Sequence, residues 1–309
     1  MDLIKPDTHI DFVGKMKKAF FVSVILIIVG ISSLIYHRGP NWGVEFVGGT
    51  EVHVKFERNV KPDEIRTVLA SAGYPAESVQ QLGLPQDNEY LIRFSPKVVA
   101  FEQIQGFQVK VEEIFKSIVP GSKGVDILRI DYIGPKVGRE LIEKAIVSVL
   151  IGCVGILLYL MIRFEFDFAL GAVIALIHDI LITLGAISIT NKEFTLTIIA
   201  ALLTVVGYSV NDTIIIFDRI RENLKKTEKR DFKELVNESV NQTLSRTVLT
   251  VITVFFVLLA LFFLGGSVIH DFAFTLIVGV IAGTYSSIFV ATAFVIYLKG
   301  KKRVAARGV

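Results

Sequence analysis

The chain has 309 residues, of which 52% are apolar and only 20% are charged, and its mean hydropathy is +0.59. This composition excludes disordered, collagen-like and disulfide-scaffold proteins and argues against an ordinary soluble domain. The net charge of +3, from 33 basic and 30 acidic residues, is too balanced to favour nucleic-acid binding. The single cysteine, Cys153, cannot form an intramolecular disulfide and lies in an apolar run, where an inert core thiol is typical.

Long apolar runs dominate the sequence, and each is long enough to cross a membrane as a helix, which takes about 20 residues. They cover roughly residues 19–36, 144–162, 168–189, 194–217, 247–265 and 272–298. The first run follows a lysine-bearing arm, residues 1–18, as in a signal peptide. It is longer than the apolar core of a signal peptide and lacks a good cleavage site, so we interpret it as an uncleaved anchor. The sequence therefore predicts an α-helical polytopic membrane protein with six transmembrane helices.

A polar insert, residues 37–143, separates the first two runs and shows alternating strand and helix patterns. Strands are predicted at 50–56, 78–82, 89–94 and 125–132, and helices at 62–72 and 99–118, the second ending before Pro120-Gly121. The order β-α-β-β-α-β predicts an inserted α+β domain of the ferredoxin-like type.

The insert shows no convincing catalytic constellation. His53 is a lone strand histidine, and such a residue is far more often a surface or packing residue than a chemical one. The glycine-containing segment 43–50 has no strand before it and no helix after it, so it does not have the context of a phosphate-binding loop. We therefore expect a docking or substrate-handling module rather than a catalyst.

Lysine and arginine are concentrated in alternate connections between the runs, and this asymmetry predicts the orientation in the membrane. The opposite connections carry only Lys192, or no basic residue at all in 266–271. Basic residues occur in the N-terminal arm, after the second and fourth runs, and in the tail at 299–309: Lys5, Lys15, Lys17, Lys18, Arg163, Arg219, Arg221, Lys225, Lys226, Lys229, Arg230, Lys233, Arg246, Lys299, Lys301, Lys302, Arg303 and Arg307. Both termini and a loop at about 218–246 are therefore predicted to be cytoplasmic, and the insert external.

Asp212 is an ionisable residue inside the fourth run, where a charged group costs about 2.5–3.5 kcal/mol on insertion scales. Its polar neighbours at helical spacing give this span one polar face: Thr204, Tyr208 and Asn211. Such residues usually face a protein interior or a water-filled path. The alternative is an aspartate solvated near the cytoplasmic headgroups, but Asp218 is the better candidate for that position.

Arg246 stands at the cytoplasmic entry of the fifth run and shares a helix face with Thr243, Thr250 and Thr253. Asp212 and Arg246 thus lie on consecutive antiparallel helices, both toward the cytoplasmic side. An ion pair between them is geometrically reasonable. An arginine that merely anchors the helix end by snorkelling is an alternative of about equal weight.

His178 and Asp179 form an adjacent titratable pair near the middle of the third run. Two such groups could relay protons or could form a structural hydrogen-bond pair, and the sequence favours neither reading. In the sixth run, the small residues Gly279, Gly283 and Ser287 share a face, which indicates tight helix packing. This face could pack within the chain or against a partner subunit.

Five segments of the chain resemble the SecF family, whose members are subunits of the bacterial SecDF protein-export complex in the resistance-nodulation-division superfamily. They are GVEFVGGT (43–50), IGPKVGREL (133–141), RFEFDFALGAVIALIHD (163–179), VGYSVNDTIIIFDRIREN (206–223) and TLSRT (243–247). The resemblance covers nearly the whole chain. One departure is Glu45, where relatives commonly carry aspartate, and this change keeps the charge.

The resemblance implies a subunit that pairs with SecD, another six-span protein, and associates with the SecYEG channel in the bacterial cytoplasmic (inner) membrane. Such a complex uses the proton gradient to assist late translocation of unfolded secretory polypeptides; YajC and YidC are further candidate partners. It also implies that Asp212 in SVNDT and Arg246 in TLSRT are the proton-coupling positions, alongside an aspartate of SecD. No cofactor other than protons is expected, and no nucleotide motif is present.

The residues themselves add secondary relay candidates within the spans: His178, Asp179, Tyr208 and Asn211. Two alternative functions stay open, a passive scaffold of a translocation complex and a component of a small-molecule exporter of the same superfamily. The exporter would need a large binding cleft in the external insert, which is small for that purpose. An enzyme is the least expected function, because no nucleophile–base set or metal-ligand cluster appears in the sequence.

Overall fold

The structure, a computed structural model, describes residues 9–82, 85–96, 98–99, 104–118, 125–226 and 231–307. The chain divides into a helical unit, Met1–Asn41 with Ser148–Val309, and a sheet-containing unit, Trp42–Val147. Several features predicted from the sequence lie outside the described residues: Lys5, residues 100–103 at the start of the second helix of the insert, Pro120-Gly121, Lys229 and Arg230.

The sheet-containing unit follows helix α1 (Met16–Tyr36) along the chain. Its elements are α2 (Val44–Val47), β1 (Gly49–Phe56), α3 (Pro62–Ser71), β2 (Ser78–Leu82), β3 (Glu89–Phe94), α4 (Ile104–Ile118) and β4 (Val125–Ile133). All strand pairs are antiparallel and the sheet order is β2-β3-β1-β4. This is the connectivity of a ferredoxin-like unit, so the predicted βαββαβ fold is confirmed.

The core of this unit lies between one face of the sheet and the two helices α3 and α4. Alternate residues of β1 and β3 point into it, together with side chains from both helices: Val52, Val54, Phe56, Tyr90, Ile92, Phe94, Ile65, Leu69, Val111 and Phe115. The ring of Phe56 contacts those of Tyr90 and Phe115, with centroids 5.5 Å and 5.6 Å apart. The Val60 amide donates to the buried Tyr90 hydroxyl at 3.1 Å, so the one polar atom of this aromatic cluster is satisfied.

Two glycines at the start of β1, Gly48 and Gly49, have a backbone role. Gly48 and Gly49 have φ angles of 78° and 130°, which side-chain-bearing residues rarely adopt. A Cβ atom on Gly49 would lie 2.5 Å from the Phe94 carbonyl oxygen on the neighbouring strand. The glycine pair therefore turns the chain into the central strand at a point where only glycine fits.

The helical unit continues with α5 (Pro135–Arg163), α6 (Phe166–Ile189), α7 (Leu196–Lys226), α8 (Phe232–Leu264), α9 (Gly266–Ser286), a π-helical turn (Ser287–Ala291) and α10 (Thr292–Arg307). With α1, these helices provide six candidate membrane spans, the sixth running from α9 through the π turn into α10. A helix satisfies its own backbone hydrogen bonds, which hydrocarbon cannot do for it. The predicted six-span architecture is thereby confirmed.

The segment at 218–246, expected as a loop, is largely helical. Helix α7 continues to Lys226 and α8 already begins at Phe232. On the α7 extension, Glu222 pairs with Arg219 at 2.8 Å and with Lys226 at 2.6 Å, at helical i,i+3 and i,i+4 spacings. Such pairs support a helix whose residues are too polar to register in a hydropathy profile.

Helices α6, α7 and α9 form the centre of the helical unit. Between 50% and 56% of their apolar stretches is buried, against 11% for α5 and α8. Small residues allow close contact: a Cβ on Gly185 of α6 would lie 2.8 Å from Gly30 Cα of α1, and one on Gly283 of α9 would lie 2.9 Å from Ser209 Cβ of α7. The small-residue face of the sixth span thus packs within the chain, and the central helices are the ones that carry Asp179, Asp212 and Ser286.

Candidate functional site

Asp212 lies on α7 and is almost completely buried, at 1% exposure. Neither oxygen of its carboxylate has a hydrogen-bond partner among the described residues. The Thr284 hydroxyl lies beside it on α9 but donates to Val280 O of its own helix, at 2.9 Å. An ionised carboxylate in an apolar interior is unfavourable unless donors or a cation accompany it. The Asp212 carboxyl is therefore buried at a position where none of the described residues donates a hydrogen bond to it.

Arg246 lies on α8 with its side chain exposed, and it influences Asp212 only through space. The ion pair that the sequence made reasonable is not formed in this conformation, because the described residues provide no hydrogen-bond partner for Asp212. The guanidinium instead lines a cleft of about 540 Å³ between α7 and α8. Charged and amide side chains share this cleft with it: Asn211, Asp218, Arg219, Glu222 and Gln242.

The threonines that share a face with Arg246 do not form a polar path. Thr250 donates to Arg246 O at 2.9 Å and Thr253 donates to Thr250 O at 2.8 Å. Thr243 likewise donates to backbone carbonyls of its own helix. Hydroxyls that bond to the preceding helical turn are not available to a neighbouring group. The exception on this helix is Thr247, whose buried hydroxyl has no partner in the described part of the chain.

The polar face predicted for the fourth span is divided in the structure. Thr204 and Asn211 are exposed, whereas Asp212 points into the protein. Tyr208 lies between these positions, and its buried hydroxyl, like the Asp212 carboxylate one turn further on, has no partner among the residues described. A buried polar group without a partner requires an explanation in a native fold. The facing parts of α7 and α8 are therefore unusually rich in buried polar groups without a partner among the residues described: Tyr208, Asp212 and Thr247.

His178 and Asp179 form the centre of a buried hydrogen-bond network. Asp179 has no exposed surface, and its Oδ2 accepts from Ser209 Oγ at 2.5 Å and from Ser286 Oγ at 2.8 Å. Its Oδ1 lies 2.9 Å from His178 Nδ1, and His178 Nε2 lies 3.0 Å from Ser23 Oγ. The network therefore joins α1, α6, α7 and α9. Both roles predicted for the pair, a proton relay and a structural hydrogen-bond pair, stay predictions.

A further set of contacts brings the network close to Asp212. Ser209 precedes Asp212 by three residues on α7, so the two side chains are neighbours on the helix surface. One residue after Asp212, Thr213 Oγ1 lies 2.8 Å from Ser287 Oγ, at the first residue of the π turn. Turns of this type are frequent at functional sites. The helix segment that carries Asp212 is thus held to the sixth span on both sides.

The Tyr285 hydroxyl also belongs to this network, because it accepts from Ser23 Oγ at 3.2 Å. Four members of the network were not predicted from the sequence: Ser23, Ser209, Tyr285 and Ser286. Serine and tyrosine in an apolar run are common and give no signal by themselves. Only the neighbouring small residues, such as Gly283, indicated that helices approach closely here. Among the residues described, no three potential metal ligands come together, and the site is built from hydroxyls, carboxyls and one imidazole.

The comparisons with known proteins decide the family. Two proteins named protein translocase subunit SecF are close relatives: that of Calditerrivibrio nitroreducens is 43% identical over 98% of this chain and 98% of its own, and that of Magnetococcus marinus is 45% identical over 99% and 98%. The chain belongs to the SecF family. In agreement, the family model "Protein export membrane protein SecD/SecF, C-terminal" matches residues 110–301, and the "SecD/SecF GG Motif" matches residues 33–60.

Solved structures agree with this assignment. The crystal structure of SecDF from Thermus thermophilus matches with a TM-score of 0.86 at 37% identity, over 96% of this chain and 40% of that one. A SecDF structure in a super-membrane-facing form matches with a TM-score of 0.72 at 36% identity, over 100% and 41%. This chain thus spans about two fifths of the solved SecDF chains. The predicted SecF family, a multi-pass membrane protein and a role in protein translocation are confirmed.

Proposed function

We propose that this SecF-family chain is one half of a proton-driven complex that assists protein export across the bacterial cytoplasmic membrane. Its partners are SecD and the SecYEG channel, with YajC and YidC as further candidates, and its client is an unfolded secretory polypeptide on the external side. The SecDF chains of known structure support the SecD partnership, because this chain matches only 40% of such a chain. In this arrangement both termini are cytoplasmic and the ferredoxin-like unit is external.

The exposed polar face of α7 supports a partner within the membrane. Thr204, Gly207 and Asn211 are exposed on a candidate membrane span. A Cβ added to Gly207 would have open space around it, so another helix can approach this surface closely. Lipid tails offer no hydrogen bonds to polar side chains. A SecD helix is the partner that we assign to this face.

The observation that carries the proposal is the buried Asp212 carboxyl without a fixed donor. A proton that crosses a potential of 100 mV releases about 2.3 kcal/mol. To use this energy, the protein needs a titratable group that binds the proton inside the membrane. Asp212 is that proton-binding group. When it is protonated, the apolar surroundings are acceptable; when it is ionised, the approach of Arg246 from the cleft stabilises it. The two states favour different positions of α7 and α8.

The cleft beside Arg246 gives the proton a route to one side of the membrane. Its polar lining reaches from Glu222 and Asp218 on the α7 extension to Asn211, the residue adjacent to Asp212. Asn211 and Tyr208 are therefore the relay candidates nearest in sequence to Asp212. The chain acts here as a transport subunit rather than an enzyme, and protons are its only coupling ion.

The test compares Asp212→Asn with the matched variant Asp271→Asn. Asp271 is also an aspartate of a candidate membrane span, but it is partly exposed, pairs with Lys192 and does not line the cleft beside Arg246. Each variant is co-produced with SecD in membrane vesicles that lack the native subunit, and translocation of a secretory protein is measured with and without an uncoupler. Asp212→Asn should lose the uncoupler-sensitive part of translocation, whereas Asp271→Asn should keep it.

Assembly is checked in the same vesicles by co-purification of SecD. If the Asp212→Asn protein assembles normally and still supports gradient-dependent export at the wild-type rate, Asp212 is not the proton-binding group. The passive scaffold would then be the better description of this subunit. The conservative amide replacement keeps the size of the side chain, so a loss of export cannot be ascribed to a cavity.

A further inference from the structure

The hydrogen bonds at His178 Nε2 determine which atom carries the proton there. The Tyr285 hydroxyl has one proton and donates it to Ala19 O at 2.5 Å. The contact of Tyr285 with Ser23 Oγ, at 3.2 Å, therefore uses the proton of Ser23. Ser23 has no second proton. In its 3.0 Å contact with His178, Ser23 Oγ is therefore the acceptor and Nε2 carries the proton and donates it.

The second ring nitrogen adds another proton to the pair. His178 Nδ1 lies 2.9 Å from Asp179 Oδ1, a distance that requires a proton on one of the two atoms. Asp179 Oδ2 is already an acceptor for Ser209 and Ser286, at 2.5 Å and 2.8 Å. The pair therefore holds two protons, one on Nε2 and one between Nδ1 and Oδ1, and it is neutral as a whole in this conformation.

We propose that the His178–Asp179 pair is a second proton-binding site of this protein and that Ser23 reports its state to α9. Release of the Nε2 proton to water leaves a neutral ring whose Nδ1–H donates to ionised Asp179. Nε2 then becomes an acceptor, and Ser23 turns its own proton toward it. The Ser23–Tyr285 contact then has no hydrogen. The loss of one proton thus breaks an α1–α9 hydrogen bond, whereas the α1–α6 hydrogen bond between Ser23 and His178 stays and reverses its direction.

A cavity beside the pair gives these groups room to move. It has a volume of about 310 Å³ and lies between α1, α6 and α9, with His178 and Tyr285 in its otherwise mostly aliphatic wall. The two rings are stacked, with centroids 5.9 Å apart and an angle of 23° between their planes.

The surroundings of the pair contribute few other titratable groups. The groups that the packed elements bring to it are Ser23 from α1, Ser209 from α7 with Asp212 one turn further, and Tyr285 and Ser286 from α9. Helix α10 reaches α6 near its first residues, where Lys299 pairs with Glu165 at 3.1 Å. The inference rests on the hydrogen bonds of the pair and does not depend on the role of Asp212.

The protonation of Nε2 can be observed directly. The full-length chain, with its histidines labelled with ¹⁵N, is placed in lipid nanodiscs and its ring nitrogens are followed by NMR between pH 5 and 9. The resonances of His178 are assigned by their loss in His178→Gln. We expect Nε2 to be protonated at low pH and to lose its proton within this range. An Nε2 that is unprotonated throughout, or protonated throughout, would overturn the proposal.

Two matched variants test the role of Ser23. Tyr285→Phe keeps the ring stacked on His178 but removes the hydroxyl, so Ser23 is free to donate to Nε2. At a pH where Nε2 is partly protonated in the wild type, a larger fraction of Nε2 should be unprotonated in Tyr285→Phe. Ser33→Ala instead removes a hydrogen bond between α1 and α6, the 2.8 Å contact of Ser33 with Ser188. It should leave that fraction unchanged, and equal effects of the two variants would refute the coupling through Ser23.

Discussion

The two buried aspartates of this bundle show how differently the same residue can be used. Asp179 is surrounded by two serine hydroxyls and an imidazole, whereas Asp212 has no donor among the described residues. The sequence identified both as functional candidates because a carboxyl is unfavourable in an apolar run. It could not tell them apart, because the partners of Asp179 lie 30 and 107 residues away along the chain. Only the packing of α7 and α9 against α6 brings them together.

Arg246 should act through its charge rather than through a fixed ion pair, since it is exposed in the cleft and does not contact Asp212. We expect Arg246→Met to lose the uncoupler-sensitive part of translocation and Arg246→Lys to retain some of it. Lysine keeps the positive charge but lacks the planar guanidinium. Lys225 is an exposed cation on α7, and Lys225→Met serves as the control for a general loss of positive charge. Wild-type export by Arg246→Met would contradict a role in coupling.

At the scale of elements, the sequence predicted the kinds of helices and strands more accurately than their ends. The four strands of the insert end within one residue of their predicted limits, because alternation and turn residues mark them on both sides. The fourth and fifth apolar runs, in contrast, are the apolar parts of the longer helices Leu196–Lys226 and Phe232–Leu264. Their polar extensions are held by ion pairs and by packing of residues such as Leu235 and Val236, which hydropathy cannot detect.

The close crossing of α1 and α6 should depend on its two glycines. A Cβ on Gly185 would lie 2.8 Å from Gly30 Cα, so Gly185→Leu must push the helices apart and break the contact of Ser23 with His178. We expect a clear fall in the midpoint of thermal unfolding of the purified protein in detergent. Gly155→Leu on α5 is the matched control, because a Cβ there meets nothing within 4 Å. Equal midpoints for the two variants would contradict this crossing.

At the scale of the whole molecule, burial is concentrated in the helices that carry the polar network. The apolar stretches of α6, α7 and the sixth span are at least half buried, while only 11% of those of α5 and α8 is buried. A membrane interior exerts no hydrophobic force between helices, so small residues and buried hydroxyls supply the contacts instead. The features that hold the central helices together are therefore the same side chains that surround the two aspartates. We therefore expect a change of protonation there to act on helix packing.

The orientation of the chain in the membrane is the prediction that the rest of the proposed mechanism requires. Basic residues favour a cytoplasmic location for the α7–α8 connection and an external one for the sheet-containing unit. In a Cys153→Ser background, Ser71→Cys at the exposed end of α3 should react with a membrane-impermeant maleimide added to intact spheroplasts. Lys225→Cys, near the end of α7, should react only after the membrane is permeabilised. The reverse pattern would place the cleft beside Arg246 on the outside, and protons entering down the gradient would then reach Asp212 from the cleft instead of leaving through it.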